Sequence, residues 1–159
     1  MEFYDLKART SNGDELAMSQ FKGKAVLIVN TATRCGLAPQ FRELEALHQK
    51  YGERGLVVIG FPSNQFLNQE PESNETMVQT CEARFGVTFL LTEKIRVNGK
   101  ETHPVFRFLK EQLPGKNRKR IKWNFTKFLI TPDGKPYKRY NPTTGPASME
   151  EDIVTILPS

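Results

Sequence analysis

The chain is 159 residues long, 38% hydrophobic and 26% charged, with two cysteines and two histidines. That length buries a core without staples, so a single domain over residues 1–159 is expected, and two cysteines without a C-x-x-C pair exclude a disulfide scaffold. Widely separated His48 and His103 offer no zinc spacing, and neither a signal-peptide pattern nor a membrane-length apolar run is visible, so a cytoplasmic protein with no metal and no cofactor is expected.

In chain order, Phe3 to Lys7, a turn at Ser11–Asp14 and Glu15 to Ala17 read as an N-terminal β-hairpin. Ala25 to Asn30 is a short, continuous Val/Ile-rich run that predicts a buried strand. It leads into Asn30-Thr31-Ala32-Thr33-Arg34-Cys35-Gly36. A cysteine at a strand-to-helix junction lies near the positive end of a helix dipole, and Arg34 adds a fixed positive charge; both favour thiolate over thiol. A lone cysteine is more often a packed structural residue. The Arg, Thr and Gly around Cys35 are not core-like, and Cys35 is therefore read as a reactive nucleophile.

Phe41, Leu44, Leu47 and His48 recur at helical spacing, and Leu56 to Phe61 is a second buried strand, so the strand-helix-strand unit should be parallel. Ser73 to Thr76 supply cap-type residues for a helix through about Arg84, with Cys81 in its last turns. Phe89 to Val97 is strand-bearing in part, and His103 to Gln112 is a short helix stopped by Pro114-Gly115. Lys116 to Lys122 concentrates five basic residues of a chain whose net charge is +5. A run of this kind is a solvated loop or a phosphate contact; without aromatic interleaving or a zinc finger, nucleic acid is not the expected partner. Lys127 to Ile130, a Pro132-Asp133-Gly134 turn and Pro136 to Tyr140 predict an antiparallel hairpin, and Met149 to Leu157 a final amphipathic helix. The sum is an α/β domain with a mixed sheet.

Neighbouring parallel strands present their carboxyl ends on one side, so the loop Phe61-Pro62-Ser63-Asn64-Gln65-Phe66-Leu67-Asn68-Gln69-Glu70-Pro71 should meet Cys35. Trp123-Asn124-Phe125 leads into a further strand. Taken singly, Gln69 reads as a loop-stabilising amide and Trp123 as a packed anchor. Together with Asn30 to Gly36, these segments resemble the glutathione peroxidase family, from about Phe3 to the final helix. The resemblance implies a thioredoxin-like fold, a central mixed sheet flanked by helices, and reduction of hydroperoxides. It places Cys35 at the peroxidatic position and Gln69, Trp123 and Asn124 around it. Ser63 stands where many members carry Cys.

The resemblance also matches Cys81 to the resolving cysteine of a thioredoxin-dependent subgroup. Thioredoxin is then the expected reductant, a glutathione-driven one-cysteine enzyme or a peroxide-sensing relay being the alternatives. Bridged cysteines need Cα atoms within about 7 Å. A Cys81 on a helix should therefore stay unbonded in the reduced enzyme, and the helix must unwind locally to pair it. Tetrameric members of the resembled family carry a longer insertion between the positions of Pro114 and Trp123, so the resemblance implies a monomer with an open active-site face, where Lys119, Arg120 and Lys122 could hold a phospholipid headgroup.

Overall fold

The computed structural model describes residues 1–70, 73–115 and 120–158. In chain order it contains β1 (Lys7–Arg9), β2 (Glu15–Ala17), β3 (Ala25–Thr31), α1 (Gln40–Tyr51), β4 (Leu56–Pro62), α2 (Asn74–Phe85), β5 (Leu90–Leu91), α3 (Pro104–Gln112), β6 (Lys127–Ile130), β7 (Pro136–Tyr140) and α4 (Glu150–Ile156). β1 and β2 form an antiparallel pair, and the other five strands form a mixed sheet in the order β5-β4-β3-β6-β7. β3 runs parallel to β4 and antiparallel to β6.

The period-2 pattern sorts side chains between two cores. Ala25, Leu27 and Val29 of β3 join Leu56 and Val58 of β4 beneath α1, α2 and α4. Val26 and Ile28 join Ile59 and Phe61 on the opposite face, with α3 and the N-terminal pair. Every residue of β3 is buried, as a central strand covered on both faces requires. Gly60 has no room for more: an added Cβ would lie 2.8 Å from Leu91 Cδ2.

One local expectation is corrected and two are sharpened. Phe3–Asp5 is a 3-10 turn rather than strand, because the Glu2 N–H donates to Asp5 Oδ2 at 2.8 Å and Phe3 turns into the core; pairing with β2 begins only at Lys7. Within 89–97 the strand is just Leu90–Leu91, and Ile95 forms an isolated bridge with Ser63. α3 starts at Pro104, with His103 as its cap: the His103 Nδ1 accepts the Val105 N–H at 3.1 Å, and burial lowers the imidazole pKa, in keeping with this acceptor role. α2 is capped as expected, the Ser73 hydroxyl accepting from the Thr76 N–H, and Gly86 closes it in the left-handed conformation.

The fold brings the site segments to one edge. Asn30 pairs with Phe61 and Thr31 with Pro62, so the chain leaves β3 toward Cys35 and leaves β4 toward Gln69 at the same end of the sheet.

Candidate active site

Cys35 is 5% exposed and sits in a turn; α1 begins only at Gln40. The amide that serves its sulfur is therefore that of Leu37, donating to Sγ at 3.3 Å, rather than an amide of the helix itself. The Cys35 carbonyl accepts from the Ala38 N–H at 2.9 Å, which closes the turn.

The loop after β4 is fastened to this turn. The Arg34 N–H donates to the Gln69 carbonyl at 2.9 Å. The neighbouring Thr33 gives its N–H to Glu70 Oε2 at 3.1 Å and its hydroxyl to Glu70 Oε1 at 2.7 Å. The loop closes on itself where the Glu70 N–H donates to Asn64 Oδ1, and it carries Leu67 and Asn68 in the left-handed region at φ 54° and 52°. Non-glycine residues in that region cost on the order of 1 kcal/mol or more each, which the surrounding bonds must offset.

The third segment arrives through Asn30. Its side chain receives the Thr126 N–H on Oδ1 at 3.0 Å and donates from Nδ2 to the Trp123 carbonyl at 3.2 Å. The Asn30 carbonyl accepts the Phe125 N–H at 2.6 Å, and Phe125 is buried at φ 64°. This tight reversal sends the Asn124 side chain inward, where its Nδ2 donates to Gln69 Oε1 at 3.0 Å. Asn124 Oδ1 is buried with no hydrogen-bond partner among the described residues. Trp123 is half-buried and packs on Phe66, ring centroids 5.6 Å apart.

Gln69 and Asn124 are thus in direct contact, and Gln69 is tied to the Cys35 turn through its backbone. Trp123 packs against the apolar cluster that contains Cys35. Cys81 is separate from this polar group: it is fully buried on α2 with its Sγ directed to Met77 Sδ at 3.8 Å, and neither cysteine is in a disulfide. Both cysteines nevertheless belong to the same apolar cluster, together with Phe41 and Phe85.

A cleft of about 720 Å³ opens beside the site, lined by Leu37, Trp123, Arg120, Lys122, Arg139 and Pro142 among others. Of the basic run, Arg120 and Lys122 line it; Lys116 to Lys119, including the Lys119 expected at a headgroup, lie outside the described residues. Arg139, which no motif singled out, is fixed by donating to the Leu113 and Arg120 carbonyls and by stacking on Phe128. Lys127 is fully buried, its Nζ donating to the carbonyls of Asn141, Pro142 and Thr144, the first two of which line the cleft, and burial pushes its ammonium down to about 7 against the pull of Glu43.

The Glutathione peroxidase family model matches residues 3–110. A Glutathione peroxidase of Lactococcus lactis is 48% identical over 157 residues, spanning 99% of this chain and 100% of that protein. The Glutathione peroxidase-like peroxiredoxin gpx1 of Schizosaccharomyces pombe is 48% identical, covering 98% of each chain. A Hydroperoxy fatty acid reductase of Synechocystis is 44% identical, over 97% of this chain and 95% of that one. The crystal structure of a thioredoxin family thiol:disulfide interchange protein from Chlorobium tepidum superposes with a TM-score of 0.66 at 17% identity, over 95% of this chain and 92% of its own. The fold is therefore thioredoxin-like, and the family match together with relatives that span the whole chain shows that the protein belongs to the glutathione peroxidase family.

Proposed function

We propose that this glutathione peroxidase-family enzyme reduces hydroperoxides by a two-cysteine cycle in which Cys35 attacks the peroxide and Cys81 resolves the product. The observation that carries this reading is the joining of three distant segments beside the Cys35 turn: the Arg34 amide on the Gln69 carbonyl, and the Asn124 amide on the Gln69 side chain.

The Cys35 thiolate attacks the terminal oxygen of the hydroperoxide, the O–O bond breaks, and the sulfur becomes sulfenic acid. The alkoxide or hydroxide leaves with the electron pair and takes its proton from water. The indole N–H of Trp123 and the amides of Gln69 and Asn124 are neutral donors suited to a thiolate before attack and to the leaving oxygen during it. Asn124 Oδ1 stands partnerless among the described residues, where a donor would serve this role. With both amides turned over, Gln69 and Asn124 keep their mutual hydrogen bond, and an N–H of Asn124 replaces the orphaned oxygen. The Cys81 thiol then condenses with the sulfenic acid, releasing water and forming a disulfide that a thioredoxin dithiol reduces by exchange.

Arg120 and Lys122 in the cleft beside Trp123 support a headgroup or carboxylate contact for lipid hydroperoxides. No helix among the described residues is long and apolar enough to cross a membrane. A cytoplasmic monomer working as one unit is the accompanying reading. The test is NADPH consumption on adding hydrogen peroxide, with wild type and Cys81→Ser each supplied with thioredoxin and its reductase or with glutathione and its reductase. Thioredoxin-driven turnover that collapses in Cys81→Ser is expected. Equal glutathione-driven turnover in both proteins would make Cys35 a one-cysteine catalyst, and a stable mixed disulfide with one client protein would favour a relay.

A further inference from the structure

Glu70 is a carboxylate with no exposed surface, at the centre of the contact between the Cys35 turn and the Gln69 loop. A carboxylate taken out of water is costly unless its oxygens are well supplied with donors. Here each oxygen receives a hydrogen from the same residue, Thr33, one from the backbone N–H and one from the hydroxyl. Thr33 lies two positions before Cys35, and the intervening Arg34 gives its N–H to Gln69, the residue just before Glu70. The two chains thus run against each other as a two-rung clasp, one rung made by a side chain and one by the backbone. Glu70's own N–H is held by Asn64, so the clasp is anchored at the loop's base.

We infer that Glu70 is a positioning residue for peroxide reduction: by holding Thr33 at two points it sets both where the Cys35 sulfur stands and where the Gln69 amide meets Asn124. The inference rests on Cys35 being the nucleophile. In this role Glu70 acts through Thr33, by a pair of hydrogen bonds of this geometry. A glutamine can supply that pair. Its Oε1 accepts the Thr33 N–H while its Nε2 donates to the Thr33 hydroxyl oxygen.

The experiment compares Glu70→Ala, Glu70→Gln and Thr33→Val with wild type by two readouts, and Cys35→Ser by the first. One is kcat/KM for hydrogen peroxide with saturating thioredoxin. The other is the second-order rate of Cys35 alkylation by iodoacetamide, measured in a Cys81→Ser background. Expected is a loss of about tenfold or more in both rates for Glu70→Ala with the KM for thioredoxin unchanged. Glu70→Gln should recover to within about threefold of wild type, and Thr33→Val, which keeps the backbone rung, should fall between. Glu70→Ala at wild-type rates, or Glu70→Gln as impaired as Glu70→Ala, would overturn the inference. Should Glu70→Ala fail to fold, Thr33→Val decides: unchanged rates in it count against the clasp. Activity retained in Cys35→Ser would instead sink the underlying reading of the nucleophile.

Discussion

At Cys35 the sulfur is nearly enclosed and served by the Leu37 amide, and the turn that carries it is tied to the Gln69 loop through the backbone. Cys35→Ser is expected to abolish peroxidase turnover, because an alkoxide is not available at neutral pH where a thiolate is. Gln69→Ala and Trp123→Phe each remove one donor, and each should lower kcat/KM on the order of a hundredfold, with Cys35 still alkylated by iodoacetamide. Asn30 is the residue whose removal reaches furthest. Its side chain fixes both ends of the Trp123–Thr126 reversal, and Asn30→Ala should cost roughly 2 kcal/mol in urea unfolding as one buried and one part-buried hydrogen bond are lost. Cys35, Gln69 and Asn124 are legible because each stands in a local motif. Asn30's role is not, since its partners lie 93 and 96 positions away and an asparagine ending an apolar strand gives no sign of them. Lys127 was hidden for the opposite reason: a lysine is normally read as surface, and only three convergent carbonyls explain one with no exposure.

Among the elements, β3, β4 and α1 are where the pattern predicts them, because long apolar runs and a 3.6 period leave little choice. The short pieces are less legible. Phe3–Asp5 is apolar enough for a strand, yet a local Glu2–Asp5 bond and the burial of Phe3 turn it into a 3-10 element. α2 is held along one narrow face. Its inward stripe is only Met77, Cys81 and Phe85, and its ends depend on Ser73 and Gly86. Outside help comes from α1, where Phe41 stacks on Phe85 at 5.0 Å and Arg42 donates to the Arg84 carbonyl. Ser73→Ala should cost about 1 kcal/mol, read as earlier amide exchange across α2 in the reduced enzyme.

For the whole molecule, Lys127 makes stability depend on pH in a defined direction. The unfolded lysine binds its proton up to about 10.5 while the folded one releases it near 7, so between these values the unfolded state holds more protons and stability rises with pH. Lys127→Met lacks this contribution. The Tm of wild type relative to Lys127→Met should therefore climb from pH 6.5 to pH 9; a constant difference would show that the buried ammonium keeps its proton throughout. The placing of Cys81 within the α2 stripe has an electrochemical consequence for the proposed cycle. If pairing with Cys35 requires α2 to open, the folding energy of that helix counts toward the dithiol and against the disulfide, making the couple more oxidising. Each 1.4 kcal/mol held in α2 raises the two-electron potential by about 30 mV. The helix then acts as a voltage setting, and weakening its cap should pull the potential down and slow the transfer of electrons from thioredoxin.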